Sequence, residues 1–190
     1  VGTLLAAQVT ALATEQIGAL TSTEIQAFTT TQANALTAAQ LGNLTTTALN
    51  NFSAVQFGAL STTQAQGLTT TELNALTVAN LDALTVPDLS STQVAGLTTT
   101  AITNLTTTQV GALTAEQVGA MLADQVSALT TTELGALTAV QAGALTSDQI
   151  TGLTTTNFAA FSSTTGIPAI STTAIAGIST QDISALSTTQ

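Results

Sequence analysis

The chain has 190 residues, no Lys, Arg or His, and a formal charge of −10 carried by Asp and Glu alone. Without a cation to meet phosphate, nucleic acid is excluded as a partner and anionic membrane surfaces are disfavoured. Zero Cys removes disulfides, thiolate metal sites and thiol nucleophiles.

Along the first stretch, leucine or a close substitute recurs every eight residues: Leu4, Leu12, Leu20, Phe28, Leu36, Leu44, Phe52, Leu60, Leu68, Leu76 and Leu84. A fixed short period means one small unit stacked many times. Numbering from the leucine, the consensus octad is Leu-Thr-Thr-Thr-Gln-Val-Gly-Ala. Position 6 is aliphatic, as at Val9, Ile17, Ile25, Leu41 and Leu73. Position 8 is small, as at Ala19, Ala27 and Gly67, which suits close approach of neighbouring backbones.

Positions 2 and 5 pair Thr or Ser with Gln or Glu: Thr29 with Gln32, Thr37 with Gln40, Thr69 with Glu72. That is capping-box spacing, in which the hydroxyl takes an N–H three residues on and the longer side chain reaches back. The leucine and the position-6 aliphatic then stand at the two ends of a hydrophobic staple. Each octad therefore carries the start signals of a short helix. Every Gly except Gly166 falls at position 7 or 8, where chain reversal is expected to need it. Nine of the ten acids, all but Asp82, sit at position 4 or 5, in the first helical turn, where negative charge meets the positive end of the helix dipole.

After Leu84 the period slips. Thr85-Val86-Pro87-Asp88-Leu89 fills positions 2 to 6 and Ser90 restarts at position 2. Pro87 lies in a first turn, where its missing N–H costs little. The row resumes at Leu97, Leu105, Leu113, Met121, Leu129, Leu137, Leu145, Leu153 and Phe161. Gly166 is then one extra residue, and Ile170, Ile178 and Leu186 close the series. Both breaks are read as a slip or bend in a single array spanning residues 1–190. A kink or docking point there is the alternative. Val1 stands at position 6 and Gln190 at position 5, so joining the ends would keep the octad in phase. The expected object is therefore a window of a longer array or a unit that self-associates end to end.

One continuous helix fails, because eight residues advance about 800° and the leucine row drifts roughly 80° per repeat. The expected fold is all-α: a solenoid of very short capped helices, one per octad. A β-solenoid is the rival, since Thr, Val and Ile favour strands, but it leaves the Thr-to-Gln pairing unexplained. Two aliphatics per octad do not offset the ordering of eight backbones, so octads must stack to fold.

No catalytic, cofactor-binding or metal-binding residue is assigned. General bases and nucleophiles shrink to Ser, Thr, Asp and Glu, and no Ser or Thr has a base nearby in sequence. The expectation is a protein that is not an enzyme and holds no cofactor. Stacked coils could set acids side by side for calcium, but no loop has EF-hand spacing. Asn43, Asn51 and Asn104 open glycosylation sequons, which arise by chance in a Thr-rich chain. No apolar run approaches the roughly 18 residues of a membrane helix, so no membrane insertion is expected.

The octads Leu105–Ala112 and Leu129–Ala136 resemble the Thr/Gln/Ala-rich repeats of very large secreted proteobacterial proteins, often described as exoproteins of heme utilisation or adhesion. The resemblance implies an extracellular or cell-surface location and a structural or adhesive role. Heme iron would take His, Cys, Tyr or Met; only Met121 is present, and at a leucine position it reads as packing. The expected function is a fibre, filament or surface stalk. An adhesin or an ice-binding region with ranked Thr hydroxyls is the alternative, with a surface or glycan as partner.

Overall fold

Twenty short α-helices and three 3-10 turns make up the secondary structure of the computed structural model, which describes residues 1–190, and no strand is present. The helices are four to six residues long, close to one turn each. A helix this short has almost no internal hydrogen bonds, so its caps and its neighbours decide whether it exists.

The caps are those the octad predicts. In the helix Thr30–Ala33, the Gln32 N–H donates to Thr29 Oγ1 at 3.2 Å, while the Thr29 N–H donates to Gln32 Oε1 at 2.8 Å. Thr37 with Gln40, Thr69 with Glu72 and Thr130 with Glu133 do the same. Where position 2 lacks a hydroxyl, at Leu5, Ala13 and Leu122, only the reach-back half survives: Gln8, Gln16 and Gln125 accept those N–H groups at 2.7–2.8 Å. Asn80 carries a shorter side chain than glutamine. Asn50, from the preceding coil, accepts the Thr77 N–H at 2.8 Å in its place.

Contacts cluster into two units, Val1–Leu89 and Ser90–Gln190, and the boundary falls on the first slip of the period. Within the first unit each helix packs on the third helix after it. One column is Thr14–Gly18, Ala38–Leu41 and Thr62–Gly67, closed by the 3-10 turn Val86–Asp88. A second is Ser22–Gln26, Thr46–Leu49 and Thr70–Asn74; a third is Ala6–Thr10, Thr30–Ala33, Ala54–Phe57 and Val78–Ala83. Three octads thus complete one coil. The second unit repeats the arrangement, with Thr107–Ala112, Thr131–Ala136, Thr155–Ala159 and Thr180–Ala185 as one of its columns. Each unit is an α-solenoid.

Positions 1, 5 and 6 face inward. Leu36, Leu68, Leu113 and Leu137 at position 1 are buried, as are Ile25, Leu49, Val94 and Ile150 at position 6. Position 5 joins them: Gln40, Gln117, Gln125, Gln141 and Gln149 are at most 2 % exposed. A buried amide needs a partner for every hydrogen. The oxygen is used in the capping box. The nitrogen reaches one coil back: Gln40 Nε2 donates to the carbonyls of Val9 at 3.0 Å and Leu12 at 2.8 Å. Gln64 does so to Ala33 and Leu36, Gln125 to Val94 and Leu97, Gln141 to Val110 and Leu113, and Gln149 to Val118 and Met121, at 2.6–3.2 Å. These recipients are position-6 and position-1 carbonyls; the position-6 carbonyl also takes a backbone N–H at the end of its own helix, as Val9 takes that of Leu12 at 3.2 Å, and Gln40, Gln125 and Gln141 lie near the intervening position-7 carbonyl as well. No buried side-chain nitrogen or oxygen is left without a partner.

The glycines meet one expectation, close approach at position 8, and not the other, chain reversal. None has a positive φ, so chain reversal does not require them. The bend is made by two consecutive extended residues, as at Leu68 (φ −70°, ψ 134°) and Thr69 (φ −76°, ψ 157°), a conformation open to any residue. What the glycines supply is room between coils. A Cβ on Gly67 would lie 2.6–2.7 Å from the Cα, Cβ and O of Ala38, and one on Gly42 would strike the Gly67 carbonyl.

At the first slip, the shortened octad draws Val86 inward to 1 % exposure, at a position that is elsewhere on the surface. At the second, the extra Gly166 is absorbed by a wider turn: the N–H groups of Gly166 and Ile167 both donate to the Ser162 carbonyl, at 3.0 and 2.9 Å. Gly166 is buried, and a Cβ there would lie 2.8 Å from the Ser162 nitrogen. Two position-6 residues depart from the inward pattern. Ile175 and Ile183 are 54 % and 57 % exposed, because no further coil packs over them.

Two substitutions at glycine separate packing from propensity. Gly67→Ala should destabilise the chain by about 1–3 kcal/mol through the clash with Ala38. Gly111, with nothing within 4 Å of its added Cβ, should gain about 0.5–1 kcal/mol on replacement by Ala. Thermal melts of the two variants should move in opposite directions. Equal shifts would remove the close-approach role.

Candidate functional site

The acids divide into two groups by depth. Glu15, Glu116, Asp124 and Asp148, at position 4, are exposed, as is Asp82. Glu72, Glu133 and Asp182, at position 5, are buried with 4–7 % exposure. Each buried carboxylate accepts its own N-cap donors: for Glu72, the Thr69 N–H at 2.6 Å and the Thr69 hydroxyl at 2.8 Å. Glu24, also at position 5 but nearer the surface, accepts the same two donors from Thr21 at 2.8 Å. The Thr21 N–H, and after it the Thr21 hydroxyl, hold the Glu24 carboxyl below its ordinary pKa.

No three acids approach one another closely enough to hold a metal ion. Met121 is 4 % exposed and packs in the core at a leucine position. The sequon asparagines are tied into the solenoid to different degrees. Asn43 Nδ2 donates to the Thr14 carbonyl at 3.2 Å. The Asn51 amide donates to Ser22 Oγ and the Thr47 carbonyl and accepts from Gln26 Nε2, all at 2.7–2.9 Å. Asn104 caps the helix Thr99–Thr103. Among the apolar side chains, a void of about 10 Å³ sits between Ala33, Leu41, Leu49, Phe52, Phe57 and Leu60. It marks the small Ala33 at position 6, and is far below the size of a ligand pocket.

The outer surface is built largely from positions 2, 3 and 4. One column of the second unit carries Thr107-Thr108, Thr131-Thr132 and Thr155-Thr156, successive ranks three octads apart with no charge among them. Their hydroxyls bond to nothing within the chain and stand at or near the surface. In the first unit Ser22-Thr23, Thr46-Thr47 and Thr70-Thr71 occupy one column, where Ser22 Oγ accepts from Asn51 Nδ2. The exposed acids lie on the other columns.

A family model described as the ALTTAQ repeat matches residues 9–46, 86–123 and 102–131. This is a Thr/Ala-rich repeat protein. No curated protein is similar enough in sequence to match it. No helix of the repeat is long and apolar enough to cross a membrane.

The sequence pattern shows the capping box but not the second half of the glutamine's work. The signal was present: position 5 prefers Gln to Glu, although either closes a box. Adding eight residues to the Gln64 register places the Leu41 and Leu44 carbonyls opposite Glu72. An ionised carboxylate has no proton for them. Glu72→Gln should therefore raise stability by about 1 kcal/mol, and Glu133→Gln likewise. A lower melting temperature in either variant would contradict the donor role of position 5.

Proposed function

We propose that this repeat is a non-catalytic structural protein of an extracellular fibre, filament or cell-surface stalk. The observation that carries the reading is the self-complementarity of the coil. Each coil presents position-5 amides on one side and position-6 and position-1 carbonyls on the other, so any coil is a template for the next. Nothing in that plan depends on a reactive centre. The resemblance of the octads to those of secreted repeat exoproteins supports the extracellular setting, and the ALTTAQ match supports the repeat character. The absence of Lys and Arg denies trypsin-like proteases a cleavage site, a property suited to exposure outside a cell.

The location is tested by treating intact source cells with proteinase K. Loss of the protein while a cytosolic marker survives is expected, together with antibody-labelled filaments or stalks in electron micrographs. Protection until the cells are lysed would overturn the extracellular reading.

The Thr-Thr ranks favour a second reading, an adhesin or ice-binding region in which ordered hydroxyls meet a repeating surface. Helical columns offer a less flat lattice than a β-face, which ranks this reading second. Thermal hysteresis in dilute solution would support it, and normal freezing would remove ice as the partner.

A further inference from the structure

In the second unit, Gln125 donates to the carbonyls of Val94 and Leu97, and Gln141 to those of Val110 and Leu113. Glu133 stands midway, eight residues from each, so the same register sets it opposite the carbonyls of Ile102 and Leu105. The Ile102 carbonyl takes the Leu105 N–H at 3.1 Å, while the Leu105 carbonyl accepts nothing within the chain. All three residues are buried. One oxygen of Glu133 serves its cap, accepting the Thr130 N–H and the Thr130 hydroxyl, each at 2.8 Å. The other takes the place of the glutamine nitrogen. It accepts no hydrogen bond from the chain and keeps some contact with solvent, through which a proton can reach it. The neighbouring joints set a donor against acceptors; this one sets an acceptor against acceptors. Glu72 repeats the arrangement in the first unit, opposite Leu41 and a Leu44 carbonyl that also accepts nothing within the chain.

We propose that Glu133 and Glu72 are proton-operated latches: a protonated carboxyl donates its O–H to the opposing Leu105 or Leu44 carbonyl and closes the joint as glutamine does. The proton comes from solvent. The second carboxyl oxygen remains an acceptor for the Thr donors, so cap and bridge coexist. Protonation weakens the two cap bonds, but it removes a charge held against carbonyl dipoles and adds a bond between coils. The two joints are therefore tighter in acid than at neutral pH. No other charge faces these sites from the elements packed on them. Thr131–Ala136 lies between Thr107–Ala112 and Thr155–Ala159, neither of which has another titratable side chain. Of its neighbours along the chain, Ala139–Gly143 has none and Ala123–Ser127 only the exposed Asp124. The helix of Glu72 packs on Thr46–Leu49, which has none; along the chain Thr62–Gly67 has none and Val78–Ala83 only the exposed Asp82. With no Lys, Arg or His, acid breaks no side-chain ion pair. Glu24 works in the opposite sense. The Thr21 N–H and then the Thr21 hydroxyl lower its pKa, so its contribution is present at neutral pH and lost as the pH falls through that lowered value. Asp182 is one methylene shorter and is no latch: Asn157, of that length, misses the position-6 and position-1 carbonyls and reaches only Ser127.

Thermal melts of the 190-residue chain between about pH 7 and about pH 4, the range over which carboxylates take up protons, test the latch. Gln bridges at every pH, so Glu72→Gln with Glu133→Gln should melt higher than wild type at neutral pH and lose roughly 4–8 °C of the change that acid produces in wild type. Glu116→Gln with Asp148→Asn removes the same charge from exposed positions and should keep that part of the change. Carboxyl carbon NMR should show Glu133 taking up its proton in step with the melting temperature. The same pH dependence in wild type and in the Glu72→Gln/Glu133→Gln variant overturns the latch, because relief of charge repulsion then explains the whole effect. A Glu133 carboxyl that stays ionised across the range overturns it as well. The proposal rests on the donor role of position 5 and not on where the protein resides, so its failure leaves the extracellular structural reading to the protease experiment on cells.

Discussion

The fold depends on one side-chain amide doing two jobs. The position-5 glutamine uses its oxygen to start its own helix and its nitrogen to hold the coil before it. Neither job would suffice alone. A helix of four to six residues cannot persist in water, and coils touching only through leucine and valine could slide. Because oxygen and nitrogen are fixed on one planar group, forming the cap aims the donor. Local structure and coil-to-coil register are therefore set together, and each buried glutamine is satisfied only when the neighbouring coil is in place.

This coupling explains the rest of the composition. Carbonyls at positions 6 and 1 have lone pairs left to be bridged because the helices end so soon. The helices end so soon because each octad supplies a new Thr or Ser to start the next. Small residues at positions 7 and 8 follow from the coil spacing that the amide bridge demands, not from any need for a left-handed backbone. Charge is held to the outer columns and to position 5, where a carboxylate keeps the cap and forgoes the bridge. Repetition is the result of one compatible set of choices, made again every eight residues.

Much of this was legible in the sequence. The all-α solenoid, the caps and the inward positions 1 and 6 follow from spacing and residue type. Three features were not. The coil length of three octads depends on the angle between successive helices, which no local pattern encodes. The amide bridge joins residues about thirty apart through backbone carbonyls, and a carbonyl has no residue identity to read. The glycines were credited with chain reversal as well as with close approach, because both favour glycine and only geometry separates them; close approach at Gly67 is the part that holds. The outer surface is one of hydroxyls and carboxylates.

The position-5 residue varies along the chain, and with it the strength of each joint. Gln40, Gln64 and Gln149 bridge two carbonyls, Gln56 reaches only that of Phe28, Asn157 reaches only Ser127, and Ala48 and Ala101 offer no side-chain bridge at all. A pulled or warmed array of this kind would not let go everywhere at once. It would open first at the alanine steps and hold at the glutamine ones, shedding load coil by coil and re-forming from the intact stretches on either side.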